Sequence, residues 1–235
     1  MTEPWEVPAR AHARLFGATE PAVTLTELDH LMDVSPRAAG VAAFLALHER
    51  VLSLVAVDDD DLFHVLNAVK DEDPRLRRRW EVIRGWSVWM DGRTSDQDER
   101  LDEAEQAAVV DGDLEAAVEL MILRALGDQA SAVEHLERAY DTLAGVVLPL
   151  QGALLDLAGA RLHRRGGNPS AAVHLLDGLR SHTPSVWRPW IDYEYTLATG
   201  VGATTEGLAG VAAALLDAAG AGDSARLHDV GRQCE

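Results

Sequence analysis

The residues of this chain with the clearest capacity for binding chemistry form a dense aromatic cluster near position 190. Four large rings alternate with three charged side chains in nine residues: Trp187, Arg188, Trp190, Asp192, Tyr193, Glu194 and Tyr195. Helical spacing places Trp187, Trp190 and Glu194 on one face. Aromatic rings beside charges anchor peptides and ligands, although such rings also fill protein cores. The predicted binding residues here are Trp187, Arg188, Trp190, Tyr193 and Glu194, with burial in the core as the alternative.

A second candidate binding region lies at the start of a helix that is predicted to begin at Pro74. It carries the basic cluster Arg75, Arg77, Arg78 and Arg79. This cluster would bind an acidic peptide or a nucleotide, but internal pairing with the acidic runs at 58–61 and 96–105 is the favoured interpretation. Trp89 lies off the apolar stripe of the same helix and is predicted to be exposed. The predicted binding site therefore also includes Arg75, Arg79 and Trp89.

Motifs for catalysis or metal binding are either absent from the sequence or unspecific. It contains no nucleophile elbow, no His-Glu-x-x-His, no phosphate-binding loop and no dinucleotide fingerprint. Asp61 and His64 lie one helical turn apart and would hold a metal or exchange a proton, but a helix cap beside a surface histidine is the favoured interpretation. The acidic run 58–61 lacks the ligand spacing and glycine of a calcium loop. We predict no catalytic residue, no metal and no cofactor.

Composition narrows the class of partner. The chain has 235 residues and a formal net charge of −18, which repels phosphate backbones and anionic lipid surfaces. Its single cysteine, Cys234, excludes a disulfide within the chain. The most apolar window, 38–57, has charged residues at its centre and favours a buried helix over a membrane span. The N-terminus has no signal-peptide pattern. We therefore predict a cytoplasmic protein that contacts neither nucleic acid nor membrane.

The elements that must position these residues are helices. Thr24 and Glu27 have the spacing of a capping box, and Ser35-Pro36 has the pattern of an N-cap followed by a first-turn proline. No alternation of period two persists, whereas apolar residues recur at helical spacing between Gly, Pro and Asn breaks. The fold class predicted is all-α. The predicted domains are an N-terminal helical subdomain, 1–92, and a helical repeat region, 93–235.

Three segments read alike, and they indicate a helical repeat. They are 112–118, 127–133 and 167–173, each with a Gly-Asp or Gly-Asn turn before a helix that carries Ala-Val. The unit 153–184 resembles a tetratricopeptide repeat, with small or turn residues at matching offsets: Ala160, Gly167, Ala172 and Pro184. Asp156 stands where that family has an aromatic residue. Weaker copies span 113–144 and 188–219.

The resemblance implies an antiparallel helix-hairpin array, a solenoid similar to tetratricopeptide repeats, with a groove that binds a protein or peptide. The predicted function is a non-enzymatic scaffold or adaptor, whose partner is another protein, a peptide or a second copy of the chain. Similar degenerate repeats occur in actinobacterial transcription regulators. One alternative is therefore a ligand-sensing module without its own DNA-binding part. The other is a small-molecule-binding protein or enzyme of specialised metabolism, with a pocket between the subdomains near Arg75–Arg79, Asp61 and His64.

Overall fold

A computed structural model describes residues 3–53, 61–90, 98–127 and 130–200, and these residues form α-helices and one 3₁₀ turn but no strand. The all-α prediction is confirmed for this part of the chain. The helices are α1 (Glu6–Leu15), α2 (Leu25–Val34), α3 (Pro36–Leu52), α4 (Asp61–Val69), α5 (Pro74–Met90), α6 (Asp98–Val110), α7 (Leu114–Gly127), α8 (Ala132–Leu143), α9 (Pro149–Arg165), α10 (Pro169–His182) and α11 (Arg188–Gly200). The 3₁₀ turn is Ser185–Trp187.

The helix starts that were predicted from capping chemistry are confirmed. Thr24 and Glu27 form a complete capping box at α2, in which each residue bonds the backbone N–H of the other. The Ser35 hydroxyl accepts a hydrogen bond from the Ala38 amide at 3.4 Å, with Pro36 in the first turn of α3. Cys234 and the end of the weaker repeat copy 188–219 lie outside the described residues.

The odd-numbered helices from α3 to α11 contact one another in succession, and each even-numbered helix from α4 to α10 packs against a sequence neighbour. The most extensive helix pairs are α9 with α10 and α7 with α8. One apolar core extends from Val7 to Ala198 and includes residues on both sides of position 92. The boundary at 92 itself lies outside the described residues and stays a prediction.

Two glycines allow neighbouring helices to approach closely, Gly40 between α3 and α4 and Gly85 between α5 and α7. A Cβ atom at Gly40 of α3 would lie 2.6 Å from Val69 Cγ2, and one at Gly85 of α5 would lie 2.6 Å from Leu123 Cδ1. Both distances are shorter than carbon atoms tolerate, so a larger residue at either position must displace its neighbour. The glycines therefore set the spacing between α3 and α4 and between α5 and α7.

The two ends of the described chain are joined by Trp187. Its indole N–H donates a hydrogen bond to the Leu15 carbonyl at 2.8 Å, across 172 positions of sequence. Phe16 meets the same indole edge-to-face with ring centroids 5.6 Å apart. This contact fixes α1 against the turn that precedes α11.

Helices α6, α7 and α8 are joined by a buried carboxylate. Glu105 accepts a hydrogen bond from Arg124 at 2.8 Å and another from Arg138. His135 is buried beside these groups. Burial, followed by the positive charge of Arg124, holds the pKa of His135 below its usual range.

Acidification is expected to destabilise the wild-type protein more than it destabilises the His135→Gln variant. The unfolded chain takes up a proton near the ordinary histidine pKa of about 6.5, whereas folded His135 resists protonation. The free energy of unfolding of the wild type is expected to fall by up to about 1.4 kcal/mol per pH unit between that value and the lower pKa of the folded state. Urea unfolding from about pH 7.5 to about pH 5.5 measures it, with His64→Gln as the control for loss of an exposed imidazole. Identical pH profiles for wild type and His135→Gln would contradict the prediction.

Candidate functional site

The centre of the core holds a carboxylate that binds three side chains. Glu119 Oε2 lies 2.6 Å from His48 Nε2 and 3.1 Å from Trp86 Nε1, while Oε1 accepts a hydrogen bond from Gln151 Nε2 at 2.9 Å. The Glu119 and His48 side chains are each 1% exposed. Four helices, α3, α5, α7 and α9, thus meet at one buried ionisable group.

The local sequence explains why these polar groups are inside. His48 belongs to α3, most of whose residues are buried, and Glu119 lies in the middle of a run of buried residues, Ala116–Leu123, in α7. Each side chain is carried inward by the apolar residues around it, and each is tolerated there because it meets the other. Sequence reasoning missed both residues, although a single acid inside the apolar run of α7 was an available signal.

Opposing effects act on the pKa of Glu119. Burial raises this pKa, but the charge of His48 and the hydrogen bonds from His48, Gln151 and Trp86 together lower it below its usual range. The carboxylate is therefore ionised at neutral pH and acts only as an acceptor. It follows that His48 Nε2 carries the proton in this pair. His48 Nδ1 is buried and has no hydrogen-bond partner among the described residues.

His48 and Gln151 also line a cavity of about 380 Å³. The cavity lies between α1, α3 and the start of α9, and its walls include Phe16, Val41 and Leu45. Its volume is within the range of about 300–1,000 Å³ typical of small-molecule sites. His48 is therefore part of the wall of a space that can hold a ligand, and Glu119 supports His48 through the hydrogen bond to Nε2.

The amino end of α9 opens on this cavity. Pro149 is the first helical residue, and the N-cap residue Leu148 supplies no side-chain acceptor. The Gly152 amide bonds the Leu148 carbonyl at 2.9 Å, but the amides of Leu150 and Gln151 have no acceptor among the described residues. Both residues line the cavity. Amides at a helix start carry the positive end of the helix dipole.

Arg79 reaches the cavity from α5, as part of the predicted site. Its guanidinium lies 5.1 Å from the centroid of the Phe44 ring, which also lines the cavity. Its nearest acidic group is Glu115, at 3.9 Å, a distance that is too long for a hydrogen bond. His12 and Glu115 complete the ionisable lining.

The aromatic residues of the predicted binding site lie in the core instead of on an open groove. Trp187, Trp190, Tyr193 and Glu194 are all buried, so core packing, the alternative for this segment, describes them. The prediction that Trp89 is exposed is wrong, because its side chain is only 8% exposed. Its ring stacks on Trp190 at 5.3 Å and meets Trp86 edge-to-face at 5.7 Å, which explains the burial.

The charged residues of that segment make internal bonds. Glu194 accepts hydrogen bonds from Arg161 Nη1 at 2.8 Å and from Arg164 Nε at 3.0 Å. Arg188 is half-buried and donates to the Arg180 carbonyl. Arg164 is therefore part of a buried ion pair.

In the basic cluster at the start of α5, Arg78 pairs internally with two acids from the turn between α6 and α7. Residues 58–60 and 96–97 of the acidic runs predicted as partners lie outside the described residues. Arg78 Nε lies 2.8 Å from Asp113 Oδ2, and Arg78 Nη1 lies 2.6 Å from Asp111 Oδ2. Arg75 is exposed and lies apart from the cavity lining. Asp61 and His64 are likewise exposed on α4.

Within the described ranges, no group of three or more His, Cys, Asp or Glu side chains is placed to hold a metal ion. No helix among the described residues is long and apolar enough to cross a membrane. The sequence matches no family model, and no curated protein or solved structure is found to be similar to it.

Proposed function

We propose that this chain binds a small molecule in the cavity between α1, α3 and the start of α9. The observation that carries this proposal is buried His48, which lines the cavity, is hydrogen-bonded to Glu119 through Nε2 and has no partner at Nδ1 among the described residues. Burying a carboxylate together with its polar partner costs desolvation energy, and an apolar pair of similar volume is often as stable or more stable. A polar pair that adjoins a cavity is therefore better explained by ligand recognition than by stability.

We further propose that the scaffold is a helical repeat related in arrangement to tetratricopeptide repeats. Support comes from the succession of contacts among odd-numbered helices and from the complete burial of Ala160 and Ala172, the small residues of the best unit. Asp156, which departs from the repeat pattern, accepts a hydrogen bond from the Tyr140 hydroxyl at 3.0 Å. An aromatic residue from α8 thus contacts the helix position where the family has its own ring.

The adaptor function is the second candidate, because stacked helix pairs are typical of interaction scaffolds. The aromatic groove first predicted for this function is not open to a partner, because the rings around Trp190 are buried. A protein or peptide partner, self-association, a cytoplasmic location and a sensing role all remain predictions. The ligand-binding proposal is favoured because it uses a cavity and a polar group that are both present.

The neutral fluorescent probe N-phenyl-1-naphthylamine tests the cavity directly. We expect saturable binding of one probe per chain, detected by enhanced fluorescence. Val41→Phe places a larger ring in the lining and is expected to weaken binding about tenfold or more. Ala46→Leu, on the same helix but at a different cavity, is the matched control and is expected to bind as wild type. Absence of saturable binding to the wild type, or equal binding by Val41→Phe, would refute the proposed function.

A further inference from the structure

We propose that the cavity takes a neutral molecule with an apolar body and a hydroxyl group, which donates a hydrogen bond to His48 Nδ1. This inference rests on the proposed function, and it adds the chemical class of the ligand. It is carried by three observations on the lining: an imidazole nitrogen that lacks a donor, an apolar stripe that leads to it, and an arginine whose charge is balanced by an acid.

His48 offers an acceptor that the described part of the protein does not use. Its Nε2 carries the ring proton and donates it to the ionised Glu119 at 2.6 Å, which leaves Nδ1 with a lone pair. That nitrogen is buried and has no donor within the described ranges. Most buried polar atoms have a hydrogen-bond partner, and an acceptor without one destabilises the protein. A ligand hydroxyl supplies the missing donor.

Two contacts fix the orientation of the His48 ring before a ligand binds. One is the hydrogen bond from Nε2 to Glu119. The other is an edge-to-face contact with Phe44, with ring centroids 4.4 Å apart and an angle of 84° between the ring planes. The ring cannot turn without breaking both contacts, so little side-chain entropy is lost when Nδ1 accepts a hydrogen bond from a ligand.

An apolar stripe on α3 leads to this imidazole. Val41, Phe44 and Leu45 line the cavity together with His48. The last three follow Val41 by three, four and seven positions, a spacing that places all four on one face of the helix. The stripe extends about 10 Å along the helix axis. A hydrocarbon body that lies along it therefore places its end group beside His48.

The charges of the lining favour a neutral ligand. Arg79 and Glu115 both line the cavity, and they form an ion pair with 3.9 Å between Nη2 and Oε2. Their opposite charges balance, so the pair does not select a ligand of either sign. An ionised carboxylate would also present only acceptors to Nδ1, which is itself an acceptor. A hydroxyl group brings a donor without a charge.

Two isomers of the same size test this class of ligand: 1-octanol, which has an O–H donor, and 1-methoxyheptane, which has none. Each is titrated against bound N-phenyl-1-naphthylamine at neutral pH, with octanoate as the anion of matching length. We expect 1-octanol to bind about fivefold or more tighter than the ether, because only the alcohol donates to Nδ1, and tighter than octanoate. Equal affinities of alcohol and ether, or tighter binding of octanoate, would overturn the inference while leaving the small-molecule function intact.

A double variant, His48→Leu with Glu119→Leu, assigns the preference to the imidazole. It removes the acceptor together with the carboxylate bound to it, so no charge is left buried alone. We expect it to bind the probe but to distinguish alcohol from ether by less than about twofold. The matched control is His135→Gln, because His135 Nδ1 is also buried without a partner among the residues described but lies outside this cavity. A preference that survives in the double variant, or is lost in the control, would overturn the assignment to His48.

A second measurement locates the hydrogen bond in the wild-type protein. In ¹⁵N spectra of the imidazole rings, the His48 signals are those that the double variant lacks. We expect 1-octanol to move the signal of the unprotonated His48 nitrogen upfield, as accepting a hydrogen bond does, while 1-methoxyheptane leaves it in place. An unmoved signal, or protons on both His48 nitrogens, would overturn the inference. Failure of the probe to bind at all would instead refute the proposed function.

Discussion

Replacing Glu119 by alanine is expected to lower the free energy of unfolding by about 3–5 kcal/mol, because three buried donors lose their acceptor at about 1–3 kcal/mol each. The substitution removes the acceptor of three donors, from His48, Trp86 and Gln151. All three donors belong to buried side chains, so the loss of their hydrogen bond is costly. A cavity left by the deleted side chain adds to the cost.

Urea unfolding measured by circular dichroism is the test of this expectation. The matched control is Glu115→Ala, one turn earlier on α7, because that side chain is 53% exposed and is expected to cost at most about 1 kcal/mol. The double variant His48→Leu with Glu119→Leu is expected to recover much of the stability, since it removes the carboxylate together with the imidazole that pairs with it. A loss below about 1 kcal/mol for Glu119→Ala would contradict the structural role given to this residue.

Trp190→Ala is also expected to cost about 3–5 kcal/mol, the range typical of a large aromatic ring deleted from a core. The Trp190 side chain is 1% exposed and meets Trp86 edge-to-face at 5.5 Å in addition to its stacking on Trp89. Deleting it leaves a cavity among rings that no neighbour can fill without changing rotamer. Thermal and urea unfolding should therefore shift together.

The control for Trp190→Ala is Trp5→Ala, whose side chain is 50% exposed and which is expected to change stability by at most about 0.5 kcal/mol. Near-ultraviolet circular dichroism should also lose intensity in Trp190→Ala, because three indole rings pack together. An unchanged unfolding midpoint in that variant would place Trp190 on the surface and restore the predicted groove. Any binding assay on Trp190→Ala must therefore be accompanied by a measurement of folding.

What could be predicted from the sequence is the part of the fold that local chemistry decides. The capping box at Thr24 and the N-cap at Ser35 depend on a few consecutive residues, and both are present in the structure. Helix α1 was missed because it offers few such features. Its N-cap position is Trp5, which makes no side-chain cap, and Pro8 interrupts its pattern.

The candidate site could not be predicted because it depends on distances along the chain that no local pattern encodes. His48 and Glu119 are 71 positions apart, and only the packing of α3 against α5 and of α5 against α7 brings them together. The burial of the aromatic segment could not be predicted for a different reason. A ring pattern at helical spacing is the same for a groove and for a core, so only tertiary packing decides whether Trp190 is exposed.

The bond from Trp187 to the Leu15 carbonyl has a consequence for synthesis of the chain. A ribosome adding about 5–20 residues per second needs roughly 10 to 30 s to make the intervening stretch. Throughout that interval the carboxyl end of α1 and the ring of Phe16 are not covered by the Trp187 indole. The nascent protein therefore presents an incomplete N-terminal face to chaperones until Trp187 has been added and has left the ribosome.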